Sequence, residues 1–141
     1  MRIKVNHNTM INRALSRVLK KKIDFNLNGI TIDSRNIKKG DLFIALKGEK
    51  QHGADFINKD IINKVSHIIS DTKIDSDKFT FVDDSTEFLR NFSHCFRDKI
   101  KTKIIGITGT NGKTSTKELL ADFLKTKYNI SYSKGNYNTT I

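Results

Sequence analysis

Residues 104–118 have the sequence IIGITGTNGKTSTKE, which passes from β-branched apolar residues through a glycine-containing turn into a helix. Such a turn predicts a phosphate-binding loop, because glycines let backbone N–H groups converge on an anion and the helix start adds its positive dipole end. Lys113 would supply a mobile positive charge for the terminal phosphates. The Thr114 hydroxyl would bind Mg²⁺.

The spacing of this loop is shorter than the common G-x-x-x-x-G-K-[ST] pattern, since Ile107 stands where that pattern needs a glycine. The context favours the phosphate site. A strand is predicted at 103–108, and a stretch with apolar residues at helical spacing follows at 119–124. The alternative is an ordinary strand-to-helix turn, but such a turn has no use for the Lys-Thr pair behind its glycines.

Two blocks of the chain resemble the Mur ligase family, the ATP-dependent amide-forming enzymes of bacterial cell-wall precursor synthesis. Residues 108–115 are similar to the ATP-binding loop of this family. Residues 32–35 (IDSR), 39–49 (KGDLFIALKGE) and 55–57 (DFI) are similar to the N-terminal UDP-binding domain of the two members that extend the peptide stem last. The blocks occur in the order that the family has, which is more specific than either block alone.

The resemblance implies roles for individual residues. Lys113 would be catalytic, because it would stabilise the migrating γ-phosphoryl group, and Thr114 would be the metal ligand. The implied ATP-binding residues are Gly109, Thr110, Asn111, Gly112, Lys113, Thr114 and Ser115, and the implied substrate-binding residues are Ser34, Arg35, Gly48, Asn136 and Asn138. Loop asparagines also satisfy backbone turns, so a structural role for the last two remains an alternative.

The upstream block has a physical interpretation beside the resemblance. Ser34 can hydrogen-bond a uracil edge or a ribose, and Arg35 presents a forked donor for an anion or for an internal carboxylate such as Asp33. Gly48 allows a ligand to approach the backbone closely, although a plain turn would also use it. His52 lies in the following loop, where uridine contacts of the family are expected.

Within the family, the residues at 117–118 and 135–138 favour the member that adds D-alanyl-D-alanine to UDP-N-acetylmuramoyl-tripeptide. Thr139 stands where a second asparagine is usual in that member. Paired threonines also occur in the member that adds the third residue, which remains an alternative. The resemblance implies ATP and Mg²⁺ as cofactors, activation of a peptide carboxylate as an acyl phosphate, and attack by the amine of D-alanyl-D-alanine.

The predicted fold class is α/β. Residues 1–100 are expected to form a small UDP-substrate-binding domain, and residues 101–141 the beginning of a P-loop, parallel-sheet ATP-binding domain. Because the family has three domains, the chain is expected to be an N-terminal fragment that does not catalyse ligation by itself. The predicted helices are one capped by Asn8 or Thr9 with apolar residues as far as Leu19, one at 54–64, one at 85–99 with Asp84 as its cap, and one after 113. The predicted strands are at 30–33, 42–46, 67–70, 79–82, 103–108 and 130–133.

The chain is strongly basic, with 26 Lys and Arg against 15 Asp and Glu and a formal net charge of +11. This charge keeps a second class open, a non-catalytic module that binds nucleotides or nucleic acid. The lysines are spread along the chain and do not alternate with aromatic residues, as a base-stacking surface would need. We therefore expect no nucleic-acid partner, and a genome rich in Lys, Asn and Ile codons explains the charge.

The remaining features suit a monomeric cytoplasmic enzyme. The single Cys95 excludes an internal disulfide, and its apolar helical neighbours favour a buried thiol over a nucleophile. The four histidines show no metal-ligand spacing. The first residues lack the apolar core of a signal peptide, and no run approaches the roughly 20 apolar residues of a membrane span.

Overall fold

The computed structural model describes residues 2–49 and 51–133. The chain divides into two compact units, the first ending at Ile100 and the second beginning at Lys101. The elements of the first unit are β1 (Arg2–Lys4), α1 (Asn8–Leu19), β2 (Gly29–Thr31), β3 (Asp41–Ala45), α2 (Lys59–Lys64), β4 (His67–Ser70), β5 (Phe79–Phe81) and α3 (Ser85–Arg97). The second unit contains α4 (Lys113–Leu124).

The five strands form one sheet in the order β1-β2-β3-β4-β5. Strands β2 to β5 are parallel, whereas β1 pairs antiparallel with β2 through Arg2↔Thr31. In the parallel part Thr31 pairs with Phe43 and Ala45 pairs with Ser70. The carboxyl ends of these strands therefore lie along one edge of the sheet, which is where ligands bind in open parallel sheets.

The central strands are covered on both faces, as expected for a parallel sheet. Side chains of β3 alternate between two apolar clusters, because successive residues of a strand point to opposite faces. One cluster contains Leu42 and Ile44 from β3 together with residues of α1 and α3: Ile11, Ala14, Leu15, Phe88 and Phe92. The other contains Phe43 and Ala45, against which partly buried residues of α2 pack: Ile61 and Ile62.

Helices α2 and α3 begin where polar side chains satisfy free backbone N–H groups. Helix α1 begins after His7 without a side-chain cap, so the cap expected from Asn8 or Thr9 is wrong. Asp84 accepts hydrogen bonds from the backbone N–H groups of Thr86 and Glu87, which confirms it as the predicted cap of α3. Asn58 caps α2 through the N–H of Ile61. This second cap separates α2 from a 3₁₀ turn at Gly53–Phe56, so the single helix predicted at 54–64 is wrong.

The second unit differs from its predicted strands. Helix α4 begins at Lys113 as predicted, but residues 103–108 and 130–133 form no strand. A strand needs a hydrogen-bonded neighbour, and residues 101–133 offer none. Ile104 and Ile105 are accordingly 67% and 61% exposed.

Candidate functional site

Three loops leave the carboxyl edge of the parallel sheet. Ser34 follows β2, Gly48 follows β3 and Asp71 follows β4. Since these strands are adjacent and in parallel register, their loops share one edge. The sheet therefore brings the segments of two predicted substrate-binding residues, Ser34 and Gly48, to the same side of the first unit.

Arg35 folds back onto Asp33. Its Nε and Nη2 atoms donate to the two carboxylate oxygens at 2.9 Å and 3.1 Å, and Asn36 donates to the same carboxylate at 2.7 Å. The Arg35 hydrogen bonds lower the pKa of Asp33 to about 2. Asp33 also accepts from the Arg35 backbone N–H and caps the 3₁₀ turn Ser34–Asn36. The internal ion pair that was the alternative for Arg35 is thus present, while its side chain remains 85% exposed.

Ser34 lies in the first position of this turn and is half-buried. Among the described residues its hydroxyl makes no hydrogen bond, in contrast to the neighbouring Asp33 side chain. A hydroxyl has one donor and two acceptor sites. The Ser34 hydroxyl is therefore free to bind a polar group at the sheet edge.

Gly48 lies in a tight turn after β3, formed by residues 47–49, 51 and 52 and called here the Gly48 turn. Its N–H donates to the Gln51 carbonyl at 3.0 Å, and Lys47 forms an isolated antiparallel bridge with His52. A Cβ at position 48 would lie 2.9 Å from the Gln51 oxygen, so a larger residue would force the turn to move. Gly48 is exposed, which leaves its backbone accessible.

His52 is engaged through both ring nitrogens. Nδ1 accepts from the Ala54 N–H at 2.9 Å, and Nε2 lies 2.6 Å from Oδ1 of Asp71. Because Nδ1 accepts, the proton is assigned to Nε2, which donates to the carboxylate. Both polar atoms of the His52 ring are thus engaged within the protein.

The loop of the second unit has the backbone shape that its glycines predict. Gly112 adopts φ 76° and ψ 0° and is the N-cap of α4, and Gly109 adopts φ 151°. Both values lie where a side chain is disfavoured. A Cβ on Gly112 would meet no atom within 4 Å, so the space over the helix start is open.

Lys113 folds over this loop. Its Nζ donates to the Gly109 carbonyl at 2.6 Å and lies 3.4 Å from the Thr110 carbonyl. The first turn of α4 carries no acidic residue, and Gly112 brings no side chain that could accept its free N–H groups. The donors of this helix start and a lysine ammonium therefore converge, and this donor set fits a polyphosphate.

The other predicted residues of the loop are Thr110, Asn111, Thr114 and Ser115, all exposed around the helix start. Thr114 offers one hydroxyl oxygen. No group of three or more His, Cys, Asp or Glu side chains that could hold a metal occurs within 2–49 and 51–133. The remaining substrate candidates, Asn136 and Asn138, lie outside the described residues.

A cavity of about 540 Å³ lies at the opposite, amino end of β3 and is lined by Ile37, Lys38, Lys39, Asp60, Asn63 and Lys64. It contains none of the predicted site residues. In the described part of the chain, no helix has the length and apolar character needed to cross a membrane.

The chain matches two family models in sequence order. Residues 26–73 match the model described as Mur ligase family, catalytic domain, and residues 107–141 match the Mur ligase middle domain. The first match includes the predicted substrate-binding residues Ser34, Arg35 and Gly48. The second includes the predicted phosphate loop.

Curated relatives include two kinds of ligase. The chain is 39% identical to the UDP-N-acetylmuramoyl-tripeptide--D-alanyl-D-alanine ligase of Rickettsia prowazekii (strain Madrid E), over 80% of this chain and 26% of the relative. It is 36% identical to the UDP-N-acetylmuramoyl-L-alanyl-D-glutamate--2,6-diaminopimelate ligase of Rickettsia felis, over 68% of this chain and 19% of the relative. The chain thus spans about a quarter or less of the length of these relatives.

Solved structures share the α/β fold with the five-stranded sheet. The MurF ligase from Thermotoga maritima, crystallised in complex with ADP, has a TM-score of 0.69 and 33% identity over 77% of this chain and 26% of its own. MurF from Acinetobacter baumannii has a TM-score of 0.75 and 26% identity over 96% and 30%. The two family models together match more than half of the 141 residues, and the chain belongs to the Mur ligase family.

Proposed function

We propose that the chain is part of an ATP-dependent ligase that adds D-alanyl-D-alanine to UDP-N-acetylmuramoyl-tripeptide. The observation that supports this proposal best is the start of α4 at Lys113. There the glycine-containing loop, the lysine ammonium group and the free backbone N–H groups lie together. Identity to the D-alanyl-D-alanine ligase of Rickettsia prowazekii exceeds that to the diaminopimelate ligase of Rickettsia felis. The diaminopimelate-adding type remains the alternative within the family.

The second unit is proposed to begin a P-loop ATP-binding domain over residues 101–141. ATP bound there would supply the phosphoryl group that activates the peptide carboxylate as an acyl phosphate. The ADP complex of the Thermotoga maritima enzyme supports this assignment. Backbone N–H groups of Asn111 and Gly112 would hold the phosphates, and the residues from Gly109 to Ser115 would surround them.

Lys113 would have the catalytic role in this loop. Its ammonium now binds two loop carbonyls, so exchange of these contacts for phosphate oxygens keeps its charge satisfied. The developing charge of phosphoryl transfer needs such a cation more than it needs a nucleophile. Thr114 would contribute one oxygen to Mg²⁺, whose other ligands would come from other groups.

The first unit, residues 1–100, is proposed to bind the UDP end of the substrate. Support comes from the sheet edge, where the free Ser34 hydroxyl and the exposed Gly48 backbone follow neighbouring strands. Arg35 keeps donor capacity beyond the atoms that bind Asp33, because a guanidinium has five N–H donors. Asn136 and Asn138 stay in the proposal as residues that orient the substrate or metal-bound water. The complete protein is proposed to be a monomer in the cytoplasm.

Binding experiments separate this function from the nucleic-acid alternative. The experiments use this chain joined to the remaining domains of such a relative, and this protein is called the complete ligase. It is titrated with UDP-N-acetylmuramoyl-tripeptide, with ATP and with duplex DNA, each at two salt concentrations. We expect saturable binding of the first two ligands. DNA binding that weakens steeply with salt, without binding of the UDP substrate, would instead identify a basic nucleic-acid-binding module.

A further inference from the structure

A hydrogen-bonded chain joins three elements at the carboxyl edge of the first unit. His52 in the Gly48 turn donates to Oδ1 of Asp71, the residue that follows β4. Oδ2 of Asp71 accepts from the Ser85 N–H at the start of α3 at 3.1 Å. A second hydrogen bond joins the same two residues, in which the Ser85 hydroxyl accepts from the Asp71 N–H at 2.9 Å. The turn is thereby tied to the sheet and to a helix.

The side chains of this hydrogen-bonded series, His52, Asp71 and Ser85, are shielded from solvent. Ser85 is fully buried, and the side chains of His52 and Asp71 are 16% and 19% exposed. Burial alone would raise the pKa of Asp71, but the hydrogen bonds from the Ser85 N–H and from His52 hold it below its usual value. The carboxylate is therefore ionised at neutral pH, and the bond from His52 is a hydrogen bond to a charged acceptor.

The Gly48 turn is also restrained at its base and through the His52 N–H, which donates to Oδ2 of Asp55 at 2.9 Å. At its base the Gly53 N–H donates to the Leu46 carbonyl at 2.8 Å, and a Cβ on Gly53 would lie 3.0 Å from the Leu46 nitrogen. Within the turn the hydrogen bond from the Gly48 N–H to Gln51 sets the local shape. The link from His52 to Asp71 fixes this shape against the end of β4.

We propose that the His52–Asp71 pair is a positioning device, which holds the exposed Gly48 backbone at the sheet edge in the orientation that recognises the UDP end of the substrate. The inference rests on the proposed UDP site. In this role the two side chains act through the turn, because both ring nitrogens of His52 and both oxygens of Asp71 already bind protein groups. Specificity for the nucleotide end thus depends on residues beyond those that contact it.

Two substitutions at position 52 separate the contacts of the ring. His52→Asn retains an acceptor for the Ala54 N–H, since asparagine is a good cap, but it is too short to reach Asp71. His52→Gln places an amide donor near the position of Nε2 and keeps the link. His94→Asn is the matched control, because His94 lies on α3 with a side chain that is 78% exposed.

The experiment measures steady-state ligation by the complete ligase. We expect His52→Asn to raise the KM for the UDP substrate about tenfold, the loss typical of one hydrogen bond to a charged group, with kcat and the KM for ATP unchanged. His52→Gln is expected to restore most of the affinity, and His94→Asn to match the parent. Asp71→Ala combined with His52→Asn is expected to be no worse than the poorer single variant, because the pair acts as one unit.

Equal KM values for the parent and His52→Asn would overturn the inference. So would a parallel rise in both KM values with a lower melting temperature, which indicates a merely structural role. The Ser34→Ala variant distinguishes this failure from failure of the proposed function. If Ser34→Ala weakens UDP-substrate binding and His52→Asn does not, only the positioning role is wrong; if the parent ligase does not bind the UDP substrate, the proposed function itself is wrong.

Discussion

Arg2 and Asp41 form a two-pronged ion pair across the first unit. Nε and Nη2 of Arg2 donate to the two carboxylate oxygens at 2.6 Å and 2.7 Å, and the Asp41 side chain is fully buried. Asp41 also accepts from the Lys38 N–H at 2.9 Å. The pair connects β1 to the start of β3, across the intervening strand β2. The ion pair therefore fixes the antiparallel edge strand β1 to an otherwise parallel sheet.

Arg2→Ala is expected to destabilise the first unit by about 3 kcal/mol, because it leaves the buried Asp41 carboxylate without its partner. Urea unfolding followed by circular dichroism measures the change. Arg13→Ala is the matched control, since Arg13 is an exposed arginine of α1. An Arg2→Ala midpoint equal to that of the control would show that the pair contributes nothing to stability.

Gly29→Ala is expected to be destabilising for a related reason. A Cβ at position 29 would lie 2.6 Å from both Nη2 of Arg2 and Oδ1 of Asp41, so the ion pair would have to shift. The expected loss is about 1 to 3 kcal/mol, the range for overpacking. In the Arg2→Ala background the same substitution is expected to be less harmful, because one clashing group is gone. Equal losses in the two backgrounds would mean that the clash with Arg2 is not the cause.

Acid stability of the first unit is expected to depend on His67. Burial, with a smaller contribution from the Lys21 charge, lowers the pKa of His67 from 6.5 to about 4. The folded state thus binds fewer protons than the unfolded state between these values, and stability falls as pH drops through 6.5 towards 4. His67→Gln is expected to flatten this part of the curve. Urea midpoints at about pH 7 and about pH 5 test the expectation, since the lowered carboxyl pKa values act only at lower pH.

Local patterns were sufficient to predict much of the first unit. The strands predicted at 42–46 and 67–70, the Asp84 cap of α3 and the start of α4 at Lys113 follow from local sequence patterns, and the structure confirms them. These features depend on neighbours within a few residues. Strand β1 was not predicted, because its three residues are too few to show a periodic pattern. The ion pair that holds it also joins Arg2 to the Asp41 carboxylate, which lies 39 residues away in the sequence.

In the candidate site, too, the features that depend on local sequence could be predicted and those that depend on distant residues could not. The backbone shape at Gly112 follows from the residue type, and the common edge of Ser34 and Gly48 follows from parallel pairing. The role of His52 could not be predicted, since its partner Asp71 lies 19 residues away, in the loop that follows β4. The strands expected at 103–108 and 130–133 failed because periodicity predicts a strand but cannot supply its hydrogen-bonded neighbour.

Ser34→Ala is expected to weaken binding of the UDP substrate to the complete ligase by about 1 kcal/mol, the size of a typical hydrogen bond. ATP binding is expected to stay the same, because Ser34 belongs to the first unit. Calorimetric titration of both ligands measures the two effects, with Ser76→Ala as the control. Unchanged affinity for the UDP substrate would remove Ser34 from the site.

Thr114→Ala is expected to raise the Mg²⁺ concentration needed for half-maximal ligation, because it removes one of several oxygen ligands while the others remain. At saturating Mg²⁺ most of the activity is expected to return. Ligation rates across a Mg²⁺ series test this, with Thr126→Ala as the control beyond the end of α4, where its hydroxyl donates to the Phe123 carbonyl. An unchanged Mg²⁺ dependence would exclude Thr114 as a metal ligand.

The most direct test of the central claim is the ligation rate of Lys113→Ala in the complete ligase, beside Lys125→Ala as an exposed lysine at the other end of α4. Lys113 packs little, because it is exposed and its ammonium contacts two loop carbonyls, so circular dichroism is expected to show an unchanged fold. Ligation is expected to fall by about three orders of magnitude or more, since the lysine charge acts most strongly in the transition state. A folded Lys113→Ala enzyme with the turnover of the Lys125→Ala control would contradict the assignment of this loop as the catalytic phosphate site.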